Sequence, residues 1–172
     1  MGDRTWVKIS YHIADMDRVR AITNDAETHE VEGNIATDEH FEVNYGGSSW
    51  IDAMVEQNIP FLLKYGASGN YDPGLVAFDG IVEIETCTTD GHYPSVNVLP
   101  SGKIKRCQMS DAKQYWAVQS RVMQIFQQSE CEYRGKLDHR IRAQQNALSR
   151  RKTKTVRARG VLSSLEGKDE SD

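Results

Sequence analysis

His-Glu-Val-Glu at 29–32 decides how the rest of this chain is read. Before it, Thr5–Ile13 (TWVKISYHI) alternates, with Val7, Ile9, Tyr11 and Ile13 on one face, the pattern of a half-buried strand. Asp15 then caps a short helix in which Met16, Val19 and Ile22 recur at helical spacing. After it, His40–Tyr45 alternates again, placing Phe41, Val43 and Tyr45 on one side and Glu42 and Asn44 on the other. Gly46-Gly47 ends that strand, Ser48 or Ser49 caps a second helix burying Trp50, Ile51, Met54 and Val55, and Pro60–Tyr65 is a further strand. If 29–32 is a strand, the order is strand, helix, strand, strand, helix, strand. That is the split βαβ arrangement of a ferredoxin-like antiparallel sheet with its helices on one face. The rest of 23–39 reads as polar and irregular.

The next segment predicts an added β-meander. Gly74–Phe78, Ile81–Thr88 and Ser95–Leu99 are short β-branched runs, with Asp79-Gly80 and Asp90-Gly91 between them. Asp-Gly supplies the positive φ that tight hairpin turns need. A helix is then predicted from Ser110 or Asp111, its stripe being Tyr115, Val118, Val122, Ile125 and Phe126, widened by Trp116 and Met123. The pattern continues through Tyr133, Leu137, Ile141 and Leu148 with Gly135 interrupting, so a long C-terminal helix with a basic tail is expected. The fold class is α+β.

Charge is segregated along this framework. Residues 1–133 carry 10 Lys and Arg against 20 Asp and Glu. Residues 134–159 carry 10 Lys and Arg against one Asp, and 160–172 return to a net of −3. The expected organisation is an acidic α+β domain at 1–133 and a basic helical or disordered extension with an acidic tip at 134–172. Such asymmetry bears on partners and association rates. The three cysteines, Cys87, Cys107 and Cys131, form no CxxC pair, which disfavours a zinc ribbon or a disulfide framework and fits a reducing cytoplasm. No apolar run approaches a membrane span, and no secretory h-region leads the chain.

Four groups of residues are candidates for function. The basic arm offers Arg140, Arg142, Arg150, Arg151, Lys152, Lys154, Arg157 and Arg159 to a partner or a polyanion, preceded by Arg134 and Lys136. It has no aromatic residue between 134 and 159 for base stacking. The acidic body can present a phosphate-like face to a nucleic-acid enzyme if its carboxylates cluster. The glycine-rich stretch from Tyr65 to Gly74 reads first as a long turn. Should it hold a ligand, Tyr45, Tyr65, Tyr71 and Asp72 would surround it. Glu83, Glu85 and Cys87 share a strand face with His92 just beyond, which reads as a solvent face before it reads as an acid–base or metal group. HExxH, GxSxG and Walker patterns are missing, so no catalytic residue, metal or cofactor is assigned and a binding role stands ahead of an enzymatic one.

The segments FEVNYGG (41–47), KYGASGNYDPGLVAFDG (64–80) and IVEIET (81–86), followed by a helix bearing Tyr and Trp, resemble small accessory proteins encoded by tailed bacteriophages over about residues 4–126. The resemblance implies expression in a bacterial cytoplasm and a role that modifies host or defence machinery by binding it. It brings no activity to carry over residue by residue. The function expected is that of a non-enzymatic binding or inhibitor protein acting on a host protein or nucleoprotein complex. Nucleic-acid binding through the arm is one alternative, and a small enzyme or ligand-binding domain built on the Tyr65–Gly74 loop is the other.

Overall fold

The computed structural model describes residues 4–69, 72–89, 92–103, 106–139 and 142–143. They divide into two units, Met1–Arg134 and Gly135–Asp172. In the first, β1 (Arg4–His12), α1 (Met16–Thr23), β2 (Thr28–Glu32), β3 (Ile35–Asn44), α2 (Ser48–Glu56) and β4 (Phe61–Tyr65) follow one another. β5 (Gly74–Phe78), β6 (Glu83–Cys87) and α3 (Arg106–Phe126) complete it. All six strands form one antiparallel sheet in the order β2-β3-β1-β4-β5-β6. The split βαβ order expected from the sequence is therefore present in the first four strands, and β5 and β6 extend it.

The pleat sorts the side chains. Val7, Ile9 and Tyr11 of β1, Phe61 and Leu63 of β4 and Val76 and Phe78 of β5 meet Val19 of α1 and Met54 of α2 in one core. Burying each large apolar side chain of this kind contributes about 1.5–3 kcal/mol. The alternate residues face the other way, where α3 lies over β4 to β6, and so every residue of β5 is buried. Helices thus cover both faces, not the single face expected. The hydrophobic stripe of α3 explains this, because Tyr115, Val118, Val122, Ile125 and Phe126 are all buried and need a second apolar surface.

Four further expectations need correction. β3 starts at Ile35, inside the stretch read as irregular. Its polar Asp38 is fully buried, accepting from the Tyr11 hydroxyl at 2.6 Å and lying 2.5 Å from His29 Nδ1. A buried carboxylate satisfied by distant partners leaves no hydrophobic pattern to read. The alternation at 41–45 fails because Trp6 opposes two residues, Phe41 and Glu42, in a β-bulge where Glu42 takes φ 56°. Among the described residues, Ser95–Leu99 forms no strand of the sheet, and Thr88 pairs with Pro94 in an isolated bridge. The helix α3 begins at Arg106 and stops at Phe126, so Gln127–Ser129 interrupts the expected continuous helix. Gly135 instead lies inside further helical residues, 130–139.

That interruption has a structural use. The carbonyl of Gln128 accepts from His12 Nε2 at 3.0 Å and from Asn34 Nδ2 at 2.9 Å. Tyr133 stacks on His12 with ring centroids 4.1 Å apart and donates its hydroxyl to Asp15, whose other oxygen accepts from Arg18 at 2.7 Å. Asp15 occupies the N-cap position of α1, as expected, but its side chain makes no capping hydrogen bond, because its carboxylate is taken by these partners. Neither Ser48 nor Ser49 caps α2; Gly47 occupies that position. No helix among the described residues is long and apolar enough to cross a membrane.

Candidate functional site

Tyr65 ends β4 in a seat made by two glycines. A Cβ at Gly46 would stand 3.0 Å from the ring, and one at Gly74, its partner on β5, 2.2 Å from the hydroxyl. The ring therefore lies flat across Gly74 and reaches β6, where its hydroxyl donates to Glu85 Oε1 at 2.6 Å. No residue larger than glycine leaves that path open.

Tyr45 comes to the same place by a different route. Tyr45, Gly46 and Gly47 all adopt positive φ, at 50°, 62° and 77°, before α2 turns right-handed at Ser48. Glycine takes this conformation freely, whereas tyrosine does so at a cost of about 1–2 kcal/mol. The reversal leaves the Tyr45 ring 64% exposed beside Tyr65. Such strain concentrates at functional positions.

Tyr45, Gly46, Ser48, Ile51, Asp52, Tyr65, Glu83 and Glu85 line a cleft of about 340 Å³. Asp52 comes from α2, while Glu83 and Glu85 share one face of the edge strand β6, where period-2 spacing puts them. The Glu83 carboxyl is pushed above its ordinary range by partial burial and by the neighbouring Asp52 and Glu85. No Lys or Arg stands among the described residues lining the cleft. The three carboxylates do not converge on a point, and no group of His, Cys, Asp and Glu able to hold a metal ion occurs among the described residues. Spread acceptors between two phenol rings suit a larger, delocalised cation.

The cleft unites residues that the sequence offered as two separate candidates: Tyr45 and Tyr65 from the loop group, and Glu83 and Glu85 from the strand group. It leaves others apart. Tyr71 lies outside the described residues, and Asp72 is exposed and does not line the cleft. Cys87 is an exposed free thiol farther along β6. His92 borders a different cavity on the α3 side of the sheet, so the Glu83, Glu85 and His92 grouping does not form. Of the basic arm, Arg142 is exposed; Arg140, Arg150, Arg151, Lys152, Lys154, Arg157 and Arg159 lie outside the described residues. Sequence reasoning missed Asp52, for which the only signal was its position one turn into the helix that follows Gly46-Gly47.

A second cleft, also of about 340 Å³, opens at the β-bulge between Asn24, Glu27, Glu42 and Trp50. His40 borders it, 3% exposed, with its ring 4.9 Å from Trp50 and no hydrogen-bond partner at Nε2. Burial lowers the His40 pKa, against the opposing pull of Asp38 and Glu27. The Glu27 carboxylate meanwhile accepts from the Phe41 backbone N–H at 3.2 Å, which the bulge has removed from the ladder. No family model, no curated protein and no solved structure matches this chain.

Proposed function

We propose that this chain is a non-enzymatic binding protein that acts by protein–protein contact and seats an arginine or lysine of its partner in the Tyr45–Tyr65 cleft. The observation that carries the reading is the crowding of Glu83 by Asp52 and Glu85 beside two tyrosine rings. A cation entering there would relieve the repulsion among the carboxylates and meet the ring faces. Cation–π contacts contribute from about 0.5 to 2 kcal/mol, more as water is excluded. The excess of carboxylates over residues 1–133 would speed the approach of a basic surface. The β1–β4 unit serves as a ferredoxin-like scaffold in this reading, with residues 134–172 as a basic arm. The phage-like segments suggest that the partner belongs to host or defence machinery in a bacterial cytoplasm.

The test is capture from bacterial lysate, with and without nuclease, by the full chain, by Glu83→Gln/Glu85→Gln and by a chain ending at Arg134. A second arm titrates the full chain with a short arginine-containing peptide. The expected result is a nuclease-resistant protein held by the full and shortened chains and released by the double carboxamide variant, which also loses the peptide. Capture that survives the double variant would remove the cleft from the interface. Nuclease-sensitive capture that needs residues 135–172 would favour nucleic-acid binding, the reading supported by ten Lys and Arg against one Asp over 134–159.

A further inference from the structure

The outer edge of β6 is open at Glu83 and Glu85, and the chain's own next segment passes it by. A backbone hydrogen bond at each end of the β5–β6 ladder fixes which residues face inward. Thr88 N–H donates to the Pro73 carbonyl at 2.9 Å, and Asp79 N–H to the Val82 carbonyl at 3.3 Å. Antiparallel strands alternate hydrogen-bonded and non-hydrogen-bonded pairs. In this register Ile84 and Thr86 bond to β5, while Glu83, Glu85 and Cys87 turn their backbone groups outward. The Cys87 carbonyl is used there, accepting from Ser95 N–H at 2.8 Å beside the Thr88–Pro94 bridge. Continued along the edge, that register would set Asn97 opposite Glu85 and Leu99 opposite Glu83. The chain leaves instead. Asn97 N–H donates to Gln108 Oε1 of α3 at 3.0 Å, and Leu99 N–H to the Lys103 carbonyl at 2.8 Å. Among the described residues, no hydrogen bond reaches the outward backbone groups of Glu83 and Glu85. Their side chains lie on the α2 face, opposite the core residues Phe78 and Val76, and Ile84 lies half-buried on the other face.

We propose that this edge takes up an extended basic segment of the protein partner as an added strand, antiparallel to β6, with cationic residues at two alternate positions. The inference rests on the cation seat of the Tyr45–Tyr65 cleft and specifies the backbone that delivers the cation. A residue hydrogen-bonded to Glu85 in such a pair directs its side chain to the same face as the Glu85 carboxylate, and the residue two positions along does so at Glu83. Both cations then stand on the cleft side, where Asp52 adds its own carboxylate. The residue between them faces away, beside Ile84, a place for a β-branched side chain. Asn97 and Leu99 bring no charge to these carboxylates, which accounts for the chain's own segment turning off here. A second copy of β6 would set glutamates against glutamates, so the edge selects a basic strand over itself.

The experiment titrates the full chain, dilute and at fixed ionic strength, with the end-blocked peptide Thr-Val-Arg-Val-Arg-Val-Thr. Three relatives of that peptide accompany it: one with its arginines adjacent, one N-methylated at both arginines and one N-methylated at the central valine. Antiparallel pairing uses the arginine N–H groups and leaves the central valine N–H turned to water. Methylating the arginines should therefore weaken binding about tenfold or more at unchanged charge, and methylating the valine should not. Adjacent arginines should also bind more weakly, because one of them would face away from the cleft. Amide hydrogen exchange read by NMR should slow at Glu83 and Glu85 on binding, whereas Ile84 and Thr86 are already protected in the free chain. Equal affinities of the two methylated peptides, or unchanged exchange at Glu83 and Glu85, would overturn the added strand. Where such binding is still lost in Glu83→Gln/Glu85→Gln, the cation seat stands without it. Binding that survives the double variant, or a peptide with adjacent arginines binding as well, would overturn the match of alternate cations to the two carboxylates. Binding by none of the peptides would overturn the strand and the cation seat together.

Discussion

Gly74 and Glu83 carry opposite kinds of constraint on the same cleft. Gly74 is a steric requirement: Gly74→Ala would place a methyl group inside the Tyr65 hydroxyl's path. Overpacking of this sort costs about 1–3 kcal/mol, and urea unfolding of the variant should show it together with loss of the Tyr65–Glu85 hydrogen bond. An unchanged midpoint would mean that the ring has another place to go. Glu83 is an electrostatic burden. Its folded pKa is raised, so the folded state holds the proton more tightly than the unfolded state and loses stability as pH rises through that window. Glu83→Gln should therefore raise the melting temperature at pH 7, and the gain should vanish below the ordinary carboxylate range. A variant less stable than the native chain at pH 7 would contradict the crowding described for the cleft. His40 runs the other way. Its pKa is lowered, so the stability it confers is present above about 6.5 and is lost as pH falls below that value.

Among the elements, the β5–β6 hairpin depends most on one side chain. Asp79 Oδ1 accepts from the backbone of Ile81 at 2.9 Å and of Val82 at 2.7 Å, while Oδ2 accepts from Arg121 of α3 at 2.6 Å. Burial alone would raise this carboxyl, but the Val82 and Ile81 amides and the Arg121 guanidinium outweigh it and hold it below the usual carboxylate range. Its stabilisation is complete above about pH 4 and is lost as pH falls through the depressed value. Asp79→Ala should cost about 1–3 kcal/mol at pH 7, read as a lower urea midpoint, with the deficit shrinking in acid. A pH-independent deficit would place the effect in the turn backbone instead. Asp79-Gly80 was legible as a turn because its residue types announce a positive φ, and Gly80 takes φ 88°. β1, α2, β4 and the stripe of α3 were legible for a similar reason, since their periodicity records a core on one side. The first half of β3, Ile35–Glu39, was not, because Asp38 is a buried polar residue whose partners, Tyr11 and His29, lie on other strands. The cleft was legible only in fragments. Tyr45, Tyr65, Glu83 and Glu85 could each be named, but their meeting depends on strand order and on two glycine contacts that no local pattern encodes.

At the scale of the whole molecule, the stability of the first unit rests on two apolar layers, one on each face of the sheet. Val122 is fully buried in the layer under α3, so Val122→Asp should leave no cooperative thermal transition, an unpaired charge there having no water and no partner. A soluble, cooperatively melting variant would refute the placement of that helix. A chain ending at Arg134 keeps the His12–Tyr133 stack, the Tyr133–Asp15 hydrogen bond and the Gln128 carbonyl contacts. Its melting temperature should stay close to that of the full chain, whereas a chain ending at Phe126 should melt lower. Equal values for the two would show that the return of 127–134 to β1 adds nothing.

The two outer strands of the sheet, β2 and β6, carry Glu30, Glu32, Glu83 and Glu85. An outer strand offers unpaired backbone groups to any other chain, and like charges brought together by such pairing would repel. The carboxylates of the cleft are thus also guards against filament growth. Replacing Glu83 and Glu85 together would remove that guard from β6, and solutions of the double variant should begin to scatter light with rising concentration, a cost that any improvement in its melting temperature would conceal.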